Sequence, residues 1–251
     1  MANERLRSAI TTSGLTAADL SEQVGVDPKT IERWILTDRI PHRTNRQAMA
    51  AALRRDEEFL WPTAVSESRV QSASQAEFVA LHPNRGSVPA GSWQSLLEGA
   101  DESIDLLAYA ASFLHDTIPD FDDILIEKAS AGVRVRLLFG DPDGSAVRLR
   151  GEEGGIGDSL AGRCTLTWKY LQPCLGVPGI EARQHDTTLY TSIFRFDEDL
   201  LANTHAYGAA ANQSPILHLH RISGGRLFPH YMTSFDLVWN HANESLMHLV
   251  D

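Results

Sequence analysis

The chain has 251 residues, 43% of them hydrophobic and 22% charged, with a formal net charge of −11. That length suits one large domain or two ordinary ones, and the composition is that of a folded globular protein, not a disordered or fibrous one. Only Cys164 and Cys174 are present, too few for a disulfide framework or a cysteine metal cage; no apolar run reaches membrane-spanning length, and the opening MANERLRSAITTSG lacks a signal-peptide core, so a cytoplasmic location is expected.

The charge is unevenly spread. Residues 1–62 hold nine basic and nine acidic side chains, so the other thirteen basic and twenty-four acidic ones carry the whole −11. A neutral head on an acidic body fits a DNA-reading module joined to a domain that stays off DNA. An acidic body also weakens non-specific binding, so a homodimer reading a two-fold operator is expected.

In chain order, residues 3–13 read as a helix with Leu6 and Ile10 inward and Arg5 and Arg7 outward. Residues 16–35, TAADLSEQVGVDPKTIERWI, read as two short helices across a tight turn. Thr16 and Asp19 have capping-box spacing, and Gly25 sits where the chain must take a positive φ. Asp27 caps the second helix and Pro28 fits its first turn. Leu20, Ser21 and Val24 face inward on the first helix, Ile31 and Trp34 on the second. The small Ser21, the turn at Gly25 and the aliphatic Ile31 let the two helices cross closely.

The stretch LSEQVGVDPKTIERW resembles the lambda-repressor-like (Xre) helix-turn-helix of bacterial transcription regulators. The resemblance implies that double-stranded operator DNA is the partner. Lys29, Thr30, Glu32 and Arg33 are then expected at base edges, because Ile31 and Trp34 face inward. Arg39, His42, Arg43 and Arg46 cluster just behind, at the start of a helix over 43–54 whose N-terminal dipole favours phosphate. The plainer alternatives are a helical hairpin and a solvated basic face. Ala48, Met49, Ala52 and Leu53 give the fourth helix its apolar side, Phe59, Leu60 and Trp61 close the head, and Pro62 ends it. Residues 63–76 read as a polar linker.

From residue 77 onward, strands and helices alternate. Strands are expected over 77–81, 103–109, 133–139, 180–185, 188–196, 200–205 and 216–222, and helices over 93–99, 120–131 and 228–243. Residues 160–168 read as helical or mixed, and 140–158 as a glycine-bearing loop. The pattern is that of an α/β sandwich.

Within it, TLYTSIFRFDEDLLANTH resembles the signature segment of the phospholipase D family, and SFDLVWNHA its terminal helix. The fold class expected is therefore α/β: an all-α helix-turn-helix domain over 1–62, then a phospholipase D-like sandwich over 77–251. The family signature is His-x-Lys, then Asp after four further residues. Tyr190 falls at the histidine position, Ser192 at the lysine position and Asp197 at the aspartate position. The family's phosphodiester chemistry needs an imidazole nucleophile and a cation on the phosphate oxygens. Tyrosine and serine supply neither, and no histidine here has a lysine two residues on; the lysines are Lys29, Lys128 and Lys169.

A non-catalytic body is therefore expected, without cofactor, that binds a small phosphorylated or acidic effector or mediates dimerisation. Its pocket candidates are Arg183, His185, Tyr190, Ser192, Asp197, Asn203, His205 and Tyr207, with Asp141, Arg148 and Arg150 from the loop at the carboxyl edge of the sheet. That loop has neither a P-loop nor a dinucleotide fingerprint. The plainer alternative makes these residues core hydrogen bonders and surface positions. His218 and His220 share a strand face near His205, but no carboxylate or cysteine stands at fixed spacing, so no metal is expected. Two other functions stay open: a phosphodiesterase or nuclease delivered to DNA by its head, and an antitoxin-like protein-interaction module.

Overall fold

The computed structural model describes residues 2–37, 39–89 and 91–242. Asp38, in the expected turn after the second helix-turn-helix segment, and Asn243, at the expected end of the last helix, lie outside them. The chain divides into two compact units, Met1–Ser72 and Ala73–Asp251.

The first unit is all-helical: α1 (Glu4–Ser13), α2 (Ala17–Val24), α3 (Pro28–Thr37), α4 (Arg43–Leu53), α5 (Glu57–Leu60) and the start of α6 (Pro62–Ala76). Local chemistry sets the boundaries. Asn3 caps α1 by accepting from Leu6 N–H, and its side-chain amide donates to the Leu60 carbonyl. Thr16 and Asp19 form the full capping box on α2, and Gly25 ends that helix at φ 73°. Asp27 accepts from Lys29 N–H at 2.8 Å at the start of α3. Leu6, Leu20, Ile31, Trp34, Met49, Leu60 and Trp61 form one buried core.

The polar stretch 63–76, expected as a linker, is helical within α6. Proline fits the first turn of a helix, so Pro62 opens α6 where it was expected to end the head.

The second unit is a mixed α/β body around a seven-stranded sheet. In chain order its elements are β1 (Phe78–His82), α7 (Ser92–Gly99), β2 (Ser103–Ala108), α8 (Ser112–Thr117), α9 (Phe121–Ser130), β3 (Arg134–Gly140), α10 (Ser145–Glu153), α11 (Ser159–Tyr170), β4 (Ile180–His185), β5 (Thr191–Phe196), β6 (Asp199–Thr204), β7 (Ile216–His220) and α12 (Leu227–His241). The strands lie in the order β1-β7-β6-β5-β2-β3-β4. β2, β3 and β4 run parallel; every other pairing is antiparallel.

Both sheet faces are covered, so the central strands are apolar on both sides. Ile104, Leu106 and Ala108 of β2 pack with Trp93, Leu114, Phe121 and Leu125 on one face. Leu107 packs with Val147, Cys164, Phe235 and Trp239 on the other. The glycine-bearing stretch 140–158 is not all loop: α10 occupies its middle. Among the described residues no helix is long and apolar enough to cross a membrane.

Candidate functional site

Two surfaces carry the candidate residues, one on each unit. On the first, α3 buries Ile31 and Trp34 and exposes Lys29, Glu32 and Arg33, with Thr30 half-buried. Arg39, His42 and Arg43 are exposed as well. No side chain caps α4, whose first N–H groups follow His42. Arg46 departs from expectation. Its Nε donates to Glu57 at 2.6 Å and its NH1 donates to the Pro41 carbonyl at 3.0 Å. It ties α4 to α5, a structural role that takes it out of the phosphate-facing set.

On the second unit, a cleft of about 70 Å³ opens beyond the carboxyl end of β2, lined among others by Arg85, Tyr109, Arg150, Arg163, Ser192 and His205. Of the expected pocket residues it gathers Ser192, His205 and Arg150. Ser192 Oγ lies 3.0 Å from His205 Nε2, and His205 Nδ1 lies 3.1 Å from the Leu189 carbonyl. A carbonyl only accepts, so the proton sits on Nδ1 and Nε2 accepts from the serine hydroxyl. Burial, with Arg150 nearby, lowers the His205 pKa to about 4, so the ring is neutral near pH 7. The Tyr109 ring stacks on His205 at 5.8 Å and accepts at its hydroxyl from Leu189 N–H. Arg150 donates to the Ala206 and Ala209 carbonyls and holds the loop that follows β6.

Arg85 and Arg163 supply the remaining positive charge. Burial, then repulsion from Arg163, lowers the Arg85 pKa to about 10. Its guanidinium lies 4.0 Å over the Phe113 ring. Neither arginine was expected here. They come from a turn and from α11, and only the fold brings them together.

The other expected pocket residues stand elsewhere. His185 is a core residue: Nε2–H donates to the Ala108 carbonyl at 3.0 Å, Nδ1 accepts from Thr187 N–H, and burial lowers its pKa. Arg183 donates to the Trp239 carbonyl and lies 4.4 Å over that indole. Asn203 is buried and donates to the Ser214 and Pro215 carbonyls. Tyr190 and Tyr207 are 81% and 85% exposed, outside the lining of this cleft. Strand alternation failed for Tyr190 because β5 begins one residue after it. Arg148 is exposed on α10, and Asp141 accepts from Asp143 N–H in a turn.

Asp197 is at the opposite edge of the sheet. It accepts the backbone N–H groups of Asp101, Glu102 and Ser103 at 2.7, 2.9 and 2.7 Å. Burial pushes its pKa up, but those bonds and Arg195 outweigh it and hold the carboxyl below its usual range. It closes the turn ahead of β2. His218 and His220 both contact Asp199, at 2.8 and 3.2 Å. No group of three or more His, Cys, Asp or Glu suited to a metal ion occurs among the described residues.

No protein-family model and no curated protein matches the chain. Among solved structures it is similar to Nuc, a phospholipase D family member from Salmonella typhimurium, at 14% identity and TM-score 0.40, over 66% of this chain and 96% of that one. It is also similar to TrmBL2, an archaeal chromatin protein whose structure shows a novel mode of DNA binding, at 15% identity and TM-score 0.41, over 92% of this chain and 88% of that one.

Proposed function

We propose that the chain is a DNA-binding transcriptional regulator, with an Xre-type helix-turn-helix head and a catalytically degenerate phospholipase D-like body that senses a small acidic effector or mediates dimerisation. One observation carries the reading: α3 buries Ile31 and Trp34 while presenting Lys29, Glu32 and Arg33 to solvent. A helix held by a buried stripe, with long polar side chains on its outer face, is the geometry that enters a major groove. The exposed Arg39, His42 and Arg43 lie beside the uncapped amides of α4, which favour phosphate. A two-fold homodimer would set two heads on half-sites about one helical turn apart.

The test is a gel shift with purified protein against a pool of random duplexes at moderate salt. Enrichment of a palindromic sequence, lost in Arg33→Ala, is expected. Binding that prefers no sequence would sink the reading.

A second reading, a phosphodiesterase or nuclease targeted by its head, draws on the Ser192–His205 hydrogen bond in a cleft lined by arginines. Against it stands the weak basicity of a ring whose pKa is held near 4. Hydrolysis of bis(p-nitrophenyl) phosphate that disappears in Ser192→Ala would favour it over the regulator.

A further inference from the structure

The cleft beside His205, at about 70 Å³, falls short of the size usual for an organic ligand. A cavity of about 840 Å³ lies at the other end of the second unit, at the amino edge of β3 under the first turns of α12. Sites for small organic ligands usually measure about 300–1,000 Å³. Its lining includes Arg134, Arg136, Arg195 and Arg221 on one side and Phe228 and Met232 on the other.

Strand register builds this site. Asp105 of β2 has Arg136 as its partner on β3 and Arg195 as its partner on β5. All three side chains lie on the sheet face that α12 covers. Asp105 is fully buried and accepts from Arg136 Nε at 2.5 Å and from Arg195 NH1 at 2.7 Å. Arg136 also donates to Asp236 at 2.9 Å and lies over the Phe235 ring at 4.5 Å. Arg221 pairs with Glu198. Ion pairs to Asp105, Asp236 and Glu198 thus hold Arg136, Arg195 and Arg221 in place.

Arg134 is the least tightly held of the four. Its contact to Asp105 is the longest of the set, 3.5 Å, and its side chain is 50% exposed toward the cavity mouth. The N-terminus of α12 does not compete for a ligand. The buried Glu77 carboxylate already accepts from Leu227 and Phe228 N–H. The cavity therefore sets two half-exposed arginines, Arg134 beside the buried Asp105 and Arg221 on Glu198, opposite an apolar wall. That combination selects a planar oxyanion attached to an apolar body.

We propose that this cavity binds an organic anion, with its carboxylate or phosphate head on Arg134 and Arg221 and its apolar body against Phe228 and Met232. As the effector site of the regulator it rests on the reading above; as a binding site it needs nothing from the first unit.

Calorimetric titration of the full chain with adenosine monophosphate, salicylate and inorganic phosphate tests it. One of the two organic anions is expected to bind more tightly than inorganic phosphate, and which one binds assigns the head as phosphate or carboxylate. Arg134→Ala and Arg221→Ala should each weaken that binding about tenfold, the loss of one charge-assisted contact. Both positions are about half exposed, so the fold survives; circular dichroism checks it. Arg163→Ala, in the other cleft, should change nothing. The proposal is overturned if neither organic anion binds, if both arginine variants bind normally, or if Arg163→Ala abolishes binding. A gel shift on the same protein without probe is read separately: DNA binding without anion binding removes only this site, and the reverse removes only the regulator.

Discussion

His205 shows how the second unit converts burial into pH dependence. Its pKa is about 4 in the folded chain, against an ordinary 6.5. Between those values the unfolded chain binds a proton that the folded chain refuses. Stability is therefore complete above about pH 6.5 and falls as the pH drops toward 4, by up to about 3 kcal/mol. His185, also pushed down by burial, acts with the same sign. Urea melts at pH 7, 5.5 and 4.5 should show the slope, and His205→Gln should remove much of it; a flat wild-type profile would contradict the assigned ring environment. Asp197 carries a different load. Asp197→Ala strips the acceptor from three backbone N–H groups and should cost about 2 kcal/mol in urea unfolding. The signature-like spacing singles out Asp197 as a pocket residue but cannot show that its partners are amides around residue 101. Ser192 and His205 were legible as pocket residues because both sit at strand ends near one sheet edge. Arg85 and Arg163 were not, since no pattern within the chain relates a turn before α7 to the middle of α11.

At the scale of elements, α3 separates binding from stability. Arg33 is exposed and Trp34, its neighbour in sequence, is buried in the first unit's core. Arg33→Ala should leave the melting temperature unchanged and weaken operator binding by about 1–3 kcal/mol. Trp34→Ala should destabilise the unit by about 3–5 kcal/mol. Equal effects of the two on DNA affinity in a well-folded background would mean α3 is not the reading element. The helices of this unit were legible because caps and stripes agree: Thr16 with Asp19, Gly25, then Ile31 with Trp34. Two stretches defeated composition. Residues 63–76 look like a linker by their serines, yet they lack glycine and interior proline, so nothing prevents the helix that Pro62 begins. The glycines from the end of β3 onward look like punctuation, yet Gly140 is there for space: a Cβ would lie 2.8 Å from Val147 Cγ2 and 3.0 Å from the Tyr109 carbonyl oxygen. Glycine demanded by close packing and glycine demanded by a turn read the same in one dimension.

At the scale of the whole molecule, charge divides along the same line as the cores. Unit Met1–Ser72 has its own buried centre around Leu6, Leu20, Ile31 and Trp34, and its basic and acidic residues balance. The acidic excess lies entirely beyond it. Phosphate repels that excess over about a Debye length, roughly 10 Å at 0.1 M salt and 3 Å at 1 M. A fragment of residues 1–72 should therefore bind non-specific duplex more tightly than the full chain at low salt, and the gap should close as salt rises. Fluorescence anisotropy across a salt series reads both curves. For a specific operator the order should reverse if the body dimerises, because two linked heads gain effective concentration on paired half-sites. A fragment that matches the full chain on both kinds of DNA would leave the body with no part in DNA recognition, and its ligand chemistry would then have to be explained without the head.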